Sequence, residues 1–568
     1  MWGYQPHFRL GLESRARQIF GALGTSVIPE AFLVGVRVPE ADDGYAVCVE
    51  PEDSKWGQEI LEACHARAQA IYDNHPDQQI FYGDEPSNRD KPERIRRKSA
   101  RQAVEEALAA YDERETTRSF CGMPGRVGDY YVVPVIQVSA DAFNALPALP
   151  EAFQFMDWTS VTGMGEAVIR EVLGEATETL ETREPGRFLD EFATDPPAVL
   201  REAARAMCSA VSLFLEDFTL QGLFDYMNAV SSLKYEGGET DGQVVFAPVD
   251  SAALEHQVVF AQAVSFRSSR LLRKIVEISN RDLACVCSGS NGITGLATVE
   301  SSSEAPVFRV AFTGHYSWDL YFNEVLLLRS SFGVPEIPRP RLTEVEFSSN
   351  ARRVITEMTG EQSRRLWEVV EAAMGQRHGT MLVVSGAAES EATRLGSQSL
   401  MVHPMPLTPE QVQRLSGIDG AILVDRECVC HAVGVILDGL ASDAGDPARG
   451  ARYNSAIRYT STVTTPALCI VVSEDGYVDM IPTLRPQVSR REVSAQIDAL
   501  QRSTVDDYHA AKNWLDEHRF YLSPEECEVV NQQLARLEPL VMGAAGIWVQ
   551  VAQFLPDADM NDSYFSDE

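Results

Sequence analysis

The sequence predicts a multidomain α/β protein, and three observations carry the prediction. The chain has 568 residues, room for about three or four domains with cores of their own. Residues 236–345 hold short strand-like apolar runs separated by glycine turns, where the stretch before them is patterned as helix. After a proline-rich stretch at 334–341, helical and strand patterns alternate through residues 346–490, as helices packed on a central sheet require.

Taken in order, residues 1–150 read as a small α/β unit. Strands are expected at 31–38 and 45–50 around a polar turn, a helix at 56–73 and a strand at 130–138. The charged stretch 89–112 is patterned as helix beyond Pro92. Its Arg94, Arg96, Arg97, Lys98 and Arg101 lie among Glu105 and Glu106, which reads as a solvated helix face. Residues 151–235 are mainly helical, with a break at Asp195-Pro196-Pro197 and with Phe214, Phe218, Phe224 and Tyr226 assigned to the core. Residues 236–345 form a β-rich segment with runs at 244–249, 258–264, 283–287, 308–314 and 320–328 and a helix at 270–278. Pro335, Pro338 and Pro340 predict a stiff extended connector. Beyond it come helix 360–375, strand 380–385, helix 409–415, strands 421–425 and 429–437, helix 447–460 and strand 467–473. Residues 491–568 return to helix and end in an acidic tail from 556 that reads as disordered.

Composition bounds the function. The hydrophobic fraction of 45% and charged fraction of 23% are those of a globular protein. A formal net charge of −34 argues against a general nucleic-acid partner and against docking on anionic membranes. It leaves room for a local cationic site. The ten cysteines show no zinc-type spacing. Cys285/Cys287 and Cys428/Cys430 fall inside apolar runs, and on a strand each pair would share one face. Buried thiols in a reducing compartment are the expectation. The first twenty residues lack the apolar core of a secretory signal, and no apolar run reaches the ~18 residues of a membrane span. A cytoplasmic location is therefore expected.

Three segments carry chemistry. Asp419-Gly420-Ala421 precedes an apolar strand. A carboxylate there can hold a divalent metal or activate a hydroxyl, and the glycine lets a ligand approach the backbone. Gly450-Ala451-Arg452-Tyr453-Asn454 opens a helix, where backbone N–H groups and an arginine fork cradle phosphate. Ser473-Glu474 ends another apolar strand, the usual place for a ligand in an open α/β sheet. Each alone also reads as ordinary structure: a turn, a helix start, a hairpin.

Together and in this order they resemble the diadenylate cyclase family, which includes the DNA integrity scanning proteins. The family shows Asp-Gly-Ala, then a Gly-Thr-Arg-His-Arg-Ala-Ala-like motif, then a strand ending Ser-Glu-Glu or similar. Asp419-Gly420-Ala421 matches the first in full, Gly450, Arg452 and Ala456 match the second in part, and Ser473-Glu474 matches the third. The resemblance implies a mixed central sheet flanked by helices, preceded by an α+β sensor region. It implies ATP as substrate, Mg²⁺ or Mn²⁺ as cofactor, and a homodimer or higher homo-oligomer, because two bound ATP molecules must meet to form cyclic di-AMP. Asp419 would hold the metal and help activate the hydroxyl, with Glu474 in support. Gly420, Ala421 and Leu437 would line the nucleotide, and Gly450, Ala451, Arg452, Tyr453, Asn454 and Ser473 the rest of its pocket. The sequence departs from the pattern at Ile418, at Ala451, and at Tyr453-Asn454 in place of His-Arg. The departure at Tyr453-Asn454 leaves open a catalytically degenerate sensor that binds ATP or a cyclic dinucleotide.

Overall fold

Nine consecutive residues, Tyr130 to Val138, are buried, so the best-defined N-terminal strand is covered on both faces rather than one. The computed structural model describes the chain apart from residues 26, 42, 53–57, 82, 151–160, 189–191, 235–241, 281, 290–291, 300–304, 338–341, 376–378, 440–449, 474–476, 505–507, 538–552 and 567–568. It comprises two units, Met1–Arg339 and Pro340–Glu568.

In the first unit, strand Tyr130–Ser139 pairs antiparallel with Glu30–Arg37 at the centre of a five-stranded sheet. Helices Gln5–Ala22, Met164–Leu180 and Pro196–Phe214 contribute to the core on one face, and Cys64–Asp73 and Glu85–Glu115 to that on the other. The helix expected at 56–73 is broken into Gln58–Leu61 and Cys64–Asp73. The basic cluster on Glu85–Glu115 is ion-paired, Arg97 with Glu93 at 3.1 Å and Arg101 with Glu105 at 2.7 Å. An eight-stranded sheet follows, and its Trp318 and Phe246 belong to the same buried cluster as Phe8, Val168 and Met207. The stretches that differ in pattern at 151 and 236 thus share one core. Phe218 is 66% exposed rather than buried, because it opens a short 3₁₀ turn, Phe218–Gly222, capped by Asp217. The proline connector also differs from expectation. Val334–Glu336 is a strand paired with Arg329–Ser331, at the sheet edge where a proline without an N–H is tolerated. Residues 338–341 of that stretch lie outside the described ones.

The second unit is numbered here from its own start. Helices α1 (Glu344–Val354) and α2 (Gly360–Met374) lead into β1 (Thr380–Ser385), α3 (Ala388–Arg394), β2 (Leu400–Pro406) and α4 (Pro409–Leu415). Then come β3 (Ala421–Val424), β4 (Val429–Val435), α5 (Ala451–Thr460), β5 (Ala467–Val472) and β6 (Val478–Ile481). Thr343, Thr359 and Thr408 each close a capping box with a Glu or Gln three residues on, which sets where α1, α2 and α4 begin. The sheet runs β2-β4-β3-β1-β5-β6. β1 and β3 are parallel and the other pairs antiparallel, so the sheet is mixed. α1, α2 and α4 cover one face through Phe347, Leu366, Val370 and Val412. α3 and α5 cover the other through Ala388, Ala392, Ala456 and Tyr459.

Cys428 and Cys430 are buried in one cluster, on the same side of the sheet, but only Cys430 is on the strand. Cys428 sits in the turn before β4 with φ +64°, where Asp425 Oδ1 accepts the N–H groups of Glu427 and Val429 at 2.9 and 3.0 Å. All ten cysteines are free thiols. Burial pushes Cys428 up to about 12 and Cys430 to about 11, which keeps them as unreactive thiols at neutral pH.

Helices α6 (Arg490–Arg502), α7 (His509–Glu517) and α8 (Pro524–Leu537) follow the sheet. Residues 553–566, which include the acidic tail's described residues 556–566, are packed rather than disordered. Phe554 is 1% and Tyr564 8% exposed. Asn531 clasps the Phe554 backbone with two hydrogen bonds of 2.9 Å, and Phe565–Ser566 pairs with Val488–Ser489. Arginines stack on the tail's rings, Arg490 on Phe565 at 3.6 Å and Arg519 on Phe554 at 4.2 Å. Acidic composition pointed to disorder, but three aromatic rings supply apolar area and cation–π contacts that outweigh it. Phe554→Ala is expected to destabilise this extension by about 3 kcal/mol or more, read as a lowered urea midpoint. Among the described residues no helix is long and apolar enough to cross a membrane.

Candidate nucleotide site

The corner that enters β3 is built from glycine. Gly420 has φ +105°, and a Cβ there would sit 2.6 Å from the backbone carbon of Gly434 in β4. No side chain fits so close an approach. The corner lifts Asp419 off the sheet, and its carboxylate is 97% exposed. Asp419 Oδ1 accepts the Gly420 N–H at 3.1 Å. Ala421 then begins β3, in register with Met381 of β1.

The second segment opens α5. Gly450 is its N-cap and offers no side-chain hydrogen bond, and the positive end of the helix dipole lies at this residue. Arg452 points its guanidinium at Asp419, with Nη2 3.6 Å from Oδ1. Its Nε is buried without a hydrogen-bond partner among the described residues. Tyr453 packs partly buried against the core of this face, and Asn454 donates to the Gly450 carbonyl at 3.3 Å. Leu437, just past β4, is 9% exposed in the same core.

In the third segment Ser473 donates its N–H to the Tyr477 carbonyl at 2.8 Å and accepts the Tyr477 N–H at 3.0 Å. Glu474 lies outside the described residues. The structure therefore joins the first two segments, far apart in sequence, through Asp419 and Arg452.

Sequence reasoning passed over a cluster behind the helix. Tyr459 donates its hydroxyl to Glu391 at 2.9 Å, and Arg394 binds both Glu391 and Asp438, at 2.7 and 2.9 Å. Hydrogen bonds from Arg394 hold the Glu391 and Asp438 carboxyls below the usual carboxylate range. Burial, and then the bond to Glu391, push the Tyr459 hydroxyl up. The only sequence signal was the Glu391–Arg394 spacing on one helix face; the other two partners come from distant segments.

No cluster of three or more His, Cys, Asp or Glu residues able to hold a metal occurs among the described residues. Asp419 still suits a magnesium-like ion, which takes one or two carboxylates and fills its remaining positions with water and substrate phosphates.

A mixed sheet covered on both faces, with a carboxylate and a helix-borne arginine meeting at one corner, is an α/β domain with its charged pair at the entrance to β3. Residues 368–482 match the family model described as "DisA bacterial checkpoint controller nucleotide-binding", and the second unit thus carries a domain of the diadenylate cyclase (DAC) family. Upstream, residues 1–208 match "Probable sensor domain DACNG" and residues 221–324 match "Probable sensor domain DACNH". A solved chain similar to part of this one is DacA from Staphylococcus aureus, as a double-cysteine mutant, at 16% identity and a TM-score of 0.19 over 22% of this chain and 83% of that one. No curated protein sequence matches.

Proposed function

We propose that the protein is a diadenylate cyclase that condenses two ATP into cyclic di-AMP and two pyrophosphates, with its N-terminal sensor domains regulating the reaction. The supporting observation is the pairing of Asp419 with Arg452, whose buried Nε–H has no acceptor among the described residues. In the proposed reaction the 3′-oxygen of each ATP bonds to the α-phosphorus of the other. The bond from that phosphorus to the bridging oxygen breaks, pyrophosphate leaves, and the hydroxyl proton passes to the Asp419 carboxylate. Because each chain supplies one such site, the product requires two chains face to face. Catalysis of this kind rests on positioning and charge neutralisation. Arg452 and the N-terminus of α5 bind and orient phosphates, and Gly420 lets the nucleotide lie against backbone. A Mg²⁺ or Mn²⁺ ion held by Asp419, with Glu474 in support, would supply charge neutralisation at the phosphates.

A second reading has its own observation. Tyr453-Asn454 stands where the family carries His-Arg, which removes one cation from the cradle, and a chain so altered binds the nucleotide without turning it over. Incubation with ATP and either metal, with product identified by mass spectrometry, separates the two. Cyclic di-AMP supports the cyclase, whereas ATP binding without product supports the degenerate sensor. Arg452→Ala should weaken ATP binding about tenfold or more, the value of a charged hydrogen bond to phosphate. Calorimetry checks this, and an unchanged affinity removes Arg452 from the site.

A further inference from the structure

The cradle helix is also held from behind. Tyr459 lies in the last turn of α5 and is fully buried at 0% exposure. Its hydroxyl donates to Glu391 Oε2 at 2.9 Å, on α3. The same carboxylate oxygen accepts Arg394 Nη2 at 2.7 Å, and that nitrogen also donates to Asp438 Oδ1 at 2.9 Å. Asp438 directly follows Leu437, past the end of β4. Next to it, Gly439 lies so near α5 that a Cβ would meet the Arg458 backbone at 2.6 Å.

Four side chains therefore join three segments that leave or approach three different strands: α3 after β1, Leu437–Asp438 after β4, and α5 before β5. One of these segments carries Leu437 and another carries Gly450 and Arg452. The network is poorly placed to supply stability. Arg394 and Asp438 are 43% and 46% exposed, and pairs so exposed contribute little. What it fixes is geometry. Arg394 is a planar fork that grips two carboxylates at once, and such a fork sets the angle between the elements it joins.

We propose that Tyr459, Glu391, Arg394 and Asp438 are positioning residues that set the separation between the Leu437 side of the nucleotide pocket and the phosphate cradle at Gly450–Arg452. The proposal rests on the nucleotide reading above. None of the four touches the nucleotide in it; they act through the two segments they tie together. The phosphate cradle moves with α5, so loosening the helix reads out in substrate affinity before it reads out in folding.

The experiment uses the full chain in three variants, Tyr459→Phe, Arg394→Ala and Arg394→Lys. Two readouts are taken: amide hydrogen exchange over residues 451–460, and the Michaelis parameters for ATP. Tyr459→Phe keeps the buried ring and loses one hydroxyl, so the melting temperature should barely move. Exchange over α5 should become severalfold faster, with KM for ATP up about fivefold and kcat within about twofold. Arg394→Ala, at the surface, should move both readouts the same way even if loss of the buried hydroxyl unfolds the chain, and Arg394→Lys should restore part of each. Unchanged exchange over 451–460 in both Tyr459→Phe and Arg394→Ala overturns the network. A wild-type chain that binds no ATP instead overturns the nucleotide reading, while the exchange data still decide whether these residues position α5.

Discussion

Asp419→Asn should abolish formation of cyclic di-AMP, lowering turnover by about 10²–10³-fold or more, while leaving the fold and ATP binding nearly intact. The physical basis is the exposure of the residue. At 97% exposed, its carboxylate supports no packing, and the Gly420 N–H it accepts can bond an amide oxygen equally well. Asparagine keeps that shape and removes one negative charge. In the proposed reaction the carboxylate would take the hydroxyl proton and help hold a divalent cation, both of which a neutral amide does weakly. Substrate binding should persist because, in that reading, Arg452 and the α5 N-terminus would hold the phosphates. Removing the charge facing Arg452 even favours a second anion there. Product measured by mass spectrometry and ATP affinity by calorimetry check both halves. An Asp419→Asn chain that cyclises at the wild-type rate would show that the carboxylate doing this chemistry lies elsewhere.

The architecture around that residue was legible from sequence where local chemistry and periodicity agreed. Strand 380–385 and helix 409–415 are found where the pattern puts them. Each has a clear signal: an unbroken apolar run in one, a Thr-Pro capping start in the other. Elements failed where a long-range contact decided the outcome. The tail reads as disordered from its acids, but Phe554, Tyr564 and Phe565 find a surface made by α6, α8 and the segment before them. Val334–Glu336 reads as a connector and becomes an edge strand because Arg329–Ser331 offers a partner. Cys428, paired with Cys430 in the sequence pattern, falls in the turn before the strand because Asp425 closes that turn. For the candidate site, motif order pointed to Asp419 and Arg452, and the fold brings them to 3.6 Å. The Tyr459 network was not legible, since its members share no motif and come from three separated segments.

The departures at Tyr453 and Asn454 acquire a physical meaning from the same geometry. Tyr453 packs its ring partly into the α3–α5 core, and Asn454 folds back on the Gly450 carbonyl. Both residues therefore support the helix start, and Arg452 carries the positive charge that faces Asp419. With Asn454 in place of a cation, the cradle of the proposed site binds triphosphate more weakly, and more of the neutralisation would fall to a bound divalent metal. The expectation that separates active enzyme from degenerate sensor is thus a steep dependence of turnover on metal concentration.

A large effect on stability is expected at Gly420. Its φ of +105° is a conformation that an L-residue adopts only with strain of about 1–3 kcal/mol. A methyl group would also stand 2.6 Å from the Gly434 carbon and 2.9 Å from its oxygen. Both obstacles are backbone, and Gly434 is itself held at φ +63°, so neither can swing aside as a side chain would. Gly420→Ala must therefore push β3 and β4 apart where the corner is formed, and should cost about 2–4 kcal/mol. Gly417→Ala is the internal control. It lies three residues earlier in the same loop, and its nearest neighbour would be the Arg414 carbonyl at an ordinary 3.7 Å, so it should change stability by well under about 1 kcal/mol. Urea unfolding followed by tryptophan fluorescence gives both values. The Gly420 variant should also lose ATP affinity at a urea concentration where it is still folded, since the same displacement moves Asp419 away from Arg452. Equal midpoints for the two alanine variants would mean that the corner relaxes without strain, and that the glycine of the Asp-Gly-Ala motif is needed for the ligand's approach and not for the fold.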